Sequence, residues 1–315
     1  MPVSIVAFFK LVEIQTKIAS LTPFILGNLY LLYQYKNFNL INFILFFISL
    51  ILVDMGTTAV NNYQDYIRAE KKEGYNYETH NAIVNYSIKI NTVKIIIFTL
   101  FSIAILSGIL LFLRTDTVVL IIGIISFLVG ISYTSGPVPI SRTPFGEVFS
   151  GFIMGFFITF LTIYIHNLNL VEIIIGSKVL NLEFYYYDLI EILIFSVPLI
   201  LGISNIMLAN NISDIEDDLE NNRFTLPIYI SKEKSLKLFK YLYYLSYLSI
   251  IFAVLIEVLP GYSLLVLLSL IFVKKNINKF ENKQSKKDTF ILSVKNFIII
   301  NYSNAAAIIL ALLLK

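Results

Sequence analysis

Residues 92–113 read TVKIIIFTLFSIAILSGILLFL, and this stretch decides the fold class. Lys94 is its one charged residue. A helix needs about 20 mostly apolar residues to cross the hydrocarbon core of a bilayer. The stretch therefore predicts a transmembrane helix.

Other apolar runs of similar length lie on both sides of this one. Together they give nine predicted spans, at 18–35, 40–60, 92–113, 117–135, 147–166, 189–211, 239–257, 262–273 and 291–314. Charged residues make up 14% of the chain, where soluble domains carry about a quarter. We predict an all-α integral membrane protein surrounded by lipid, with no nucleic-acid partner.

The predicted spans leave no room for a separate soluble domain. We expect a single membrane domain over residues 1–315, with polar cap loops at 61–91, 134–146 and 212–238 and a cytoplasmic linker at 274–290. The second apolar run follows the first without a cleavage site, so no removable signal peptide is expected. The chain has no cysteine, which excludes disulfides, thiolate metal ligands and cysteine nucleophiles.

The basic residues predict the orientation. If the amino terminus is cytoplasmic and nine spans alternate, 20 of the 24 lysines and arginines fall on the inner side. Basic residues near helix ends favour the cytoplasmic face. We predict a multi-pass protein of the plasma membrane, with a cytoplasmic amino terminus and the polar clusters described next on the cytoplasmic side.

Two polar clusters follow the second and sixth predicted spans. The first begins NNYQD at Asn61, and the second reads NNISDIEDD from Asn210 to Asp218. Residues four apart share one face of a helix, so each cluster predicts a column of oxygen ligands. The columns are Asn61 and Asp65, with Asn62 beside them, and Asn210, Asp214 and Asp218. Charges at helix ends are usually only solvated, but the repeated N-N-x-x-D spacing favours a function.

Ligand columns made of oxygen suit Mg²⁺, which is usually held by one or two carboxylates and by substrate phosphates. We predict that the two columns hold Mg²⁺ and a diphosphate. Basic residues nearby are candidates for binding the remaining phosphate oxygens. These are Lys17, Arg68, Arg142 and Arg223.

Three further polar residues each have two interpretations. His80 could orient a substrate or accept its proton, or be a loop histidine without function. Tyr133 could steady a cation or a substrate, or be one of the tyrosines common at membrane interfaces. Asp54 lies within the second predicted span and could support Asp65 or bond to a neighbouring helix.

The motifs resemble the signatures of the UbiA superfamily of intramembrane prenyltransferases. That family has an N-D-x-x-D-type motif after its second helix and a D-x-x-x-D motif after its sixth. The stretch from Asn210 to Asp218, followed by Thr225-Leu226, is similar to the branch that prenylates 1,4-dihydroxy-2-naphthoate. The stretches Leu11–Gly27 and Ser132–Gly151 also resemble that branch.

The resemblance implies nine helices around a central cavity with cytoplasmic cap loops. It implies that a polyprenyl diphosphate ionises with the help of Mg²⁺ and that an aromatic ring then attacks the prenyl group. In the naphthoate branch the prenyl group replaces the ring carboxylate, so CO₂ and diphosphate leave and demethylmenaquinone forms after oxidation. The implied ligands of Mg²⁺ and diphosphate are Asn61, Asn62, Asp65, Asp214 and Asp218, with Lys17 contacting diphosphate.

The sequence departs from the family pattern at two positions. Asn62 stands where the first motif usually has an aspartate, and Glu70 or Glu73 could restore the lost charge from the loop. Val138 replaces a basic residue that is common in this branch, and Arg142 is the expected substitute.

Three alternatives to the naphthoate reaction stay open from the sequence. The acceptor could be 4-hydroxybenzoate, homogentisate or haem. A protein that has lost catalysis could use the same site for binding. A secondary transporter is the alternative from another class, although transporters place their carboxylates near the bilayer midplane, often on helices broken by glycine or proline.

Overall fold

The structure, a computed structural model, describes residues 3–68, 81–166, 170–175 and 180–314. The α-helices of these residues are α1 Ile5–Leu11, α2 Ile18–Gln34, α3 Leu40–Arg68, α4 Ala82–Asn85, α5 Ile90–Arg114, α6 Thr117–Thr134, α7 Gly146–Ser150, α8 Ile158–Tyr164, α9 Tyr186–Ser213, α10 Ile215–Glu220, α11 Leu226–Ile230, α12 Lys232–Leu255, α13 Leu270–Asn282 and α14 Ile291–Leu313. The described residues also include 3₁₀ helices at Ile14–Lys17, Ile140–Arg142 and Gly261–Ser269, and a π-helical segment, Gly151–Phe157, joins α7 to α8.

Seven helices within the described residues are long and apolar enough to cross a membrane. They are Leu40–Ile67, Ile90–Arg114, Thr117–Thr134, Gly146–Tyr164, Tyr186–Ser213, Lys232–Leu255 and Ile291–Leu313. They correspond to seven of the nine predicted spans and confirm an all-α protein with several membrane-spanning helices. The first predicted span, 18–35, is α2, whose 17 residues reach only about 25 Å.

The eighth predicted span, 262–273, divides between the 3₁₀ helix Gly261–Ser269 and the start of α13. Val273, Ile277 and Phe280 are buried along α13, while its lysines face outward. This spacing of three and four residues is that of an amphipathic helix. The predicted linker 274–290 is therefore helical as far as Asn282, and the count of nine spans stays a prediction.

A β-hairpin lies between α8 and α9, where the sequence predicts no strand. Strand β1 (Val171–Ile175) pairs antiparallel with β2 (Leu180–Phe184), and Val171 lies opposite Phe184. The run of β-branched residues in β1 favours a strand.

The chain divides into two compact units, and the single domain expected from the sequence stays a prediction. The first unit comprises 1–21 and 40–140, and the second comprises 22–39 and 141–315. In the first unit α3 packs against α5 and α6. A Cβ on Gly56 of α3 would lie 2.6 Å from the Phe101 ring of α5, so these two helices approach closely.

In the second unit α9 packs against α12, α14 and the helix that runs from Gly146 to Tyr164. Glycines permit the close contact between α9 and the helix that runs from Gly146 to Tyr164. A Cβ on Gly155 would lie 2.7 Å from backbone atoms of Ile200, and a Cβ on Gly151 would overlap the Ser204 hydroxyl. The close packing holds α9 at Ile200 and Ser204, within three turns of the second polar cluster that begins at Asn210.

The predicted cap loops are partly helical. In the first loop, α3 continues to Arg68, and the Asn81 side chain caps α4 by accepting a hydrogen bond from the Ile83 amide at 3.0 Å. In the third, α9 ends at Ser213, and α10 and α11 follow before α12 begins at Lys232.

Candidate active site

The second polar cluster lies where α9 breaks and α10 begins. Asp214 lies between the last residue of α9, Ser213, and the first residue of α10, Ile215. Its backbone amide donates to the Asn210 carbonyl at 3.1 Å. The Asp218 amide donates in turn to the Asp214 carbonyl at 2.7 Å. These bonds keep the predicted spacing of four residues across the break. Asn210, Asp214 and Asp218 are therefore each about one helical turn from the next.

Asp214 and Asp218 are both buried, and each has its own cation. Lys286 Nζ donates to Asp214 Oδ2 at 2.5 Å. Arg223 Nε lies 3.2 Å from Asp218 Oδ1, and Thr225 Oγ1 donates to Asp218 Oδ2 at 3.1 Å. A buried carboxylate costs free energy unless a charge or hydrogen bonds compensate it, and here both kinds of partner are present.

The environment of Asp218 acts on its pKa in two directions. Burial raises the pKa of this carboxyl above its ordinary value, and the neighbouring charge of Asp214 adds to the rise. The Arg223 guanidinium opposes the rise, as does the hydrogen bond from Thr225. The cations therefore help to keep a buried acid in its charged form.

The predicted phosphate-binding arginines of the second unit belong to one region. The Phe224 amide donates to the Arg142 carbonyl at 3.1 Å, which ties the segment after α10 to the 3₁₀ turn Ile140–Arg142. Arg223 Nη2 also donates to the Ser141 carbonyl at 3.5 Å. These contacts place Arg142 and Arg223 beside the second cluster.

Glu147 is a residue of this region that no sequence motif singles out. Asn211 Nδ2 donates to Glu147 Oε1 at 2.9 Å, and both side chains are buried. The Ser204 hydroxyl donates to the Glu147 carbonyl at 2.9 Å. Among the described residues, Glu147 Oε2 has no hydrogen-bond partner. An acidic residue at the start of an apolar run is the signal that could have singled it out.

In the first polar cluster, Asn61 and Asp65 are paired as predicted, whereas the Asn62 side chain bonds elsewhere. Asn61 Nδ2 donates to Asp65 Oδ2 at 3.2 Å, as residues one turn apart should. Asn62 is buried, and its amide donates to the Leu11 carbonyl at 3.2 Å and to Glu13 Oε1 at 3.1 Å. Asn62 thus ties α3 to the amino-terminal segment.

Lys17 forms a buried ion pair in the first unit. Its Nζ donates to Asp54 Oδ1 at 2.5 Å, to the Asp54 carbonyl at 3.0 Å and to Thr58 Oγ1 at 2.7 Å. Ser20 Oγ donates to Asp54 Oδ2 at 2.5 Å. Of the two interpretations of Asp54, these contacts favour a bond to a neighbouring segment.

An ammonium group has three donor hydrogens, and those of Lys17 match three acceptors. Contact of Lys17 with diphosphate stays a prediction, and it requires the ammonium to leave at least one acceptor on α3.

For the remaining predicted site residues, the structure gives only their position in the chain or does not describe the side chain. Tyr133 lies in the last turn of α6, and Arg68 is the last residue of α3. The Arg68 side chain lies outside the described residues, as do His80, Glu70 and Glu73.

His166, for which the sequence indicates no role, is fully buried. Its Nδ1 accepts a hydrogen bond from the Asn39 amide at 2.7 Å, and its ring stacks on Phe38. Burial lowers the pKa of His166 to about 4, so the imidazole is neutral at physiological pH. These contacts describe a structural residue of the second unit.

The described residues contain no group of three acidic or histidine side chains that converges as a ready-made metal site. The second cluster instead offers two carboxylates, each with a cation beside it. Such a set can bind a cation that brings its own oxygen ligands, as a metal diphosphate does.

Comparison with known proteins identifies the family. The profile of the UbiA prenyltransferase family matches residues 20–299. The 1,4-dihydroxy-2-naphthoate octaprenyltransferase of Bacillus subtilis (strain 168) is 30% identical over 220 residues, which are 70% of this chain. The matched region spans 64% of the length of that relative.

Solved structures share the fold. A UbiA homolog from Archaeoglobus fulgidus bound to GPP and Mg²⁺ has a TM-score of 0.66 at 12% identity, over 96% of this chain and 99% of that chain. An apo UbiA homolog from Aeropyrum pernix K1 has a TM-score of 0.65 at 17% identity, over 90% and 97%. A digeranylgeranylglyceryl phosphate synthase has a TM-score of 0.63 at 17% identity, over 96% of each chain. Since the family profile covers most of the sequence, the chain belongs to the UbiA prenyltransferase family.

Proposed function

We propose that this protein transfers a polyprenyl group from its diphosphate to 1,4-dihydroxy-2-naphthoate. Diphosphate and CO₂ leave, and demethylmenaquinone forms after oxidation. The observation that carries this proposal is the pair of buried carboxylates, Asp214 and Asp218, each beside a cation. A buried arrangement of mixed charge suits a charged ligand better than an apolar one.

The residues fit Mg²⁺ through the chemistry of their donors. Carboxylates and amide oxygens are hard ligands, and Mg²⁺ is usually bound by one or two carboxylates with the substrate phosphates completing its shell. The residues that would hold it are Asn61, Asn62, Asp65, Asn210, Asp214 and Asp218. When bound, Mg²⁺ neutralises the charge that develops on the leaving diphosphate. The Archaeoglobus homolog bound to GPP and Mg²⁺ supports this use of the site.

The catalytic carboxylates in this proposal are Asp65, Asp214 and Asp218. Arg142 and Arg223 bind phosphate oxygens, because a guanidinium can donate two parallel hydrogen bonds to them. Arg68 and Lys17 complete the proposed phosphate-binding set. The positive charges of these side chains stabilise the departing diphosphate.

The acceptor is an aromatic ring rich in electrons, which attacks the allylic carbon as the diphosphate bond breaks. His80 is proposed to orient this acceptor or take its phenolic proton, and Tyr133 to steady the positive charge on the prenyl group. The activity that names the Bacillus subtilis relative supports the naphthoate as acceptor. Membership of a prenyltransferase family argues against the transporter alternative.

We further propose that the protein lies in the plasma membrane with its amino terminus and its active site on the cytoplasmic side. The support is the distribution of charge: 20 of the 24 basic residues fall on the inner side in this orientation.

The experiment that tests the function is prenyl transfer in purified membranes. It compares 1,4-dihydroxy-2-naphthoate with 4-hydroxybenzoate, with and without Mg²⁺, in the wild type, Asp65→Ala and Asp214→Ala. We expect demethylmenaquinone to form only with Mg²⁺ and in neither variant. Prenylation of 4-hydroxybenzoate alone would move the protein to another branch of the family. No transfer to either acceptor by intact protein would contradict the proposal.

A further inference from the structure

Lys286 lies outside every group of residues that the sequence marks for function. It belongs to the segment between α13 and α14, within the predicted linker 274–290. Its ammonium nevertheless lies 2.5 Å from Asp214 Oδ2, although the two residues are 72 positions apart in the sequence. The Asp214 side chain is 7% exposed and that of Lys286 is 28% exposed, so the pair is largely shielded from water.

Hydrogen bonds hold the Lys286 segment in place. The Ser285 carbonyl accepts from the amides of Thr289 and Phe290, each at 2.9 Å, and the Ser285 amide donates to Thr289 Oγ1 at 2.9 Å. Thr289 Oγ1 also donates to the Lys283 carbonyl at 2.8 Å. An ordered turn thus presents Lys286 to Asp214.

The ion pair has a consequence for any metal that uses Asp214. A divalent cation at Asp214 Oδ2 would take the position next to the ammonium, and the two positive charges would repel each other. Lys286 therefore competes with the metal. A lysine has a flexible four-carbon stem, so its ammonium can move while its backbone stays in the turn.

A diphosphate that arrives with the metal offers the displaced ammonium new acceptors. Its oxygens carry negative charge, and hydrogen bonds between an ammonium and phosphate oxygens are among the strong ones. The same side chain can thus compensate Asp214 in the empty protein and the diphosphate in the loaded one.

We propose that Lys286 is a diphosphate-binding residue that pairs with Asp214 until the metal diphosphate binds. The inference rests on the proposed function, since it assigns a further ligand to the same diphosphate. It makes a prediction that simple phosphate binding does not make: the lysine weakens the binding of metal alone and strengthens the binding of metal with diphosphate.

The test uses the full-length protein purified in detergent. Binding of Mn²⁺ alone is followed by its electron paramagnetic resonance signal, and binding of inorganic pyrophosphate with saturating Mg²⁺ is followed by calorimetry. The variants are Lys286→Met, Lys286→Arg and Lys287→Met. Lys287 is the matched control, because it is the next residue, is exposed and undergoes the same loss of charge.

We expect Lys286→Met to bind Mn²⁺ more tightly than the wild type and pyrophosphate about tenfold more weakly. Lys286→Arg should keep pyrophosphate binding near the wild-type value, and Lys287→Met should change neither affinity. Retention of the wild-type elution volume and unfolding temperature checks that each variant is folded. The arginine variant also keeps the test valid if Lys286→Met is unstable, because loss of pyrophosphate binding in a folded Lys286→Arg would overturn the proposal.

Several results would contradict the role of Lys286. Lys286→Met could bind both ligands as the wild type does. It could also bind both more weakly, which is the effect expected of a structural residue. Tighter Mn²⁺ binding with unchanged pyrophosphate binding would show that Lys286 does not contact the diphosphate. If the wild type itself binds no pyrophosphate with Mg²⁺, the proposed function fails, and the inference about Lys286 fails with it.

Discussion

The Lys17 ammonium lies 2.5 Å from Asp54 Oδ1, and it also bonds to the Asp54 carbonyl and to Thr58 on the same helix. Lys17 is 1% exposed. The pair joins the 3₁₀ helix Ile14–Lys17 to the middle of α3 and compensates an acidic residue within a membrane-spanning helix. Such residues are costly in a bilayer and usually face a partner in the protein interior.

Removing one partner of this pair should destabilise the protein strongly. Lys17→Met leaves the Asp54 carboxylate without its cation, and the loss of one partner of a buried ion pair typically costs about 3–5 kcal/mol. The measurement is the unfolding temperature in detergent. The double variant Lys17→Met/Asp54→Asn should unfold nearer to the wild type, because it leaves no unpaired charge. Single and double variants with equal losses would show that the two residues do not interact.

Asn62 is expected to resist replacement by aspartate, although the family motif usually has that residue. Asn62→Asp would remove the donors to Leu11 and Glu13 and set two carboxylates beside each other. We expect a loss of roughly 1–3 kcal/mol in stability, measured by thermal unfolding. Glu13→Gln added to Asn62→Asp should recover part of it, since the glutamine amide can donate to the new carboxylate. No recovery would mean that the Glu13 contact does not oppose aspartate at this position.

His166 should make the stability of the fold depend on pH. Its pKa is lowered from 6.5 to about 4, so the folded protein binds fewer protons than the unfolded chain. Stability is therefore fully present above about pH 6.5 and falls as the pH decreases toward about 4, by roughly 3 kcal/mol at most. We expect His166→Gln to lose less stability over this range in chemical unfolding. The chain has one other histidine, and His80→Gln should keep the full dependence; the reverse pattern would contradict the assignment.

The glycines facing α9 should be intolerant of larger side chains. A Cβ on Gly155 would lie 2.7 Å from the Ile200 backbone, which cannot move without shifting α9. Gly155→Ala should therefore lower the unfolding temperature. Gly123→Ala in α6 is the matched control, because nothing lies within 4 Å of its Cβ and alanine favours a helix over glycine by about 1 kcal/mol. Equal effects of the two substitutions would show that the helices are not in contact at Gly155.

The sequence predicts those features that depend on residues close to one another in the chain. The apolar runs locate the membrane helices because burial in lipid is decided within about 20 residues. The spacing of four residues correctly pairs Asn61 with Asp65 and sets Asp214 one turn from Asn210. Both follow from helix geometry alone.

Contacts between distant segments are not predicted. The bond of Lys286 to Asp214 joins residues 72 positions apart, and the surrounding run of charges gives no sign of it because solvated linkers have the same composition. The bond of Asn62 to Glu13 spans 49 positions. It depends on an amino-terminal turn in which Glu13 has a left-handed backbone, which is rare outside glycine.

The measurement that tests the central claim most directly compares two neighbouring aspartates of α10. Asp218 is buried beside Arg223 and Thr225, and Asp217 is exposed. Asp218→Asn and Asp217→Asn change the charge equally. Prenyl transfer to 1,4-dihydroxy-2-naphthoate with Mg²⁺ should fall about 100-fold in Asp218→Asn and stay within about twofold of the wild type in Asp217→Asn. Equal activities of the two variants would contradict the assignment of the buried carboxylates to the metal diphosphate.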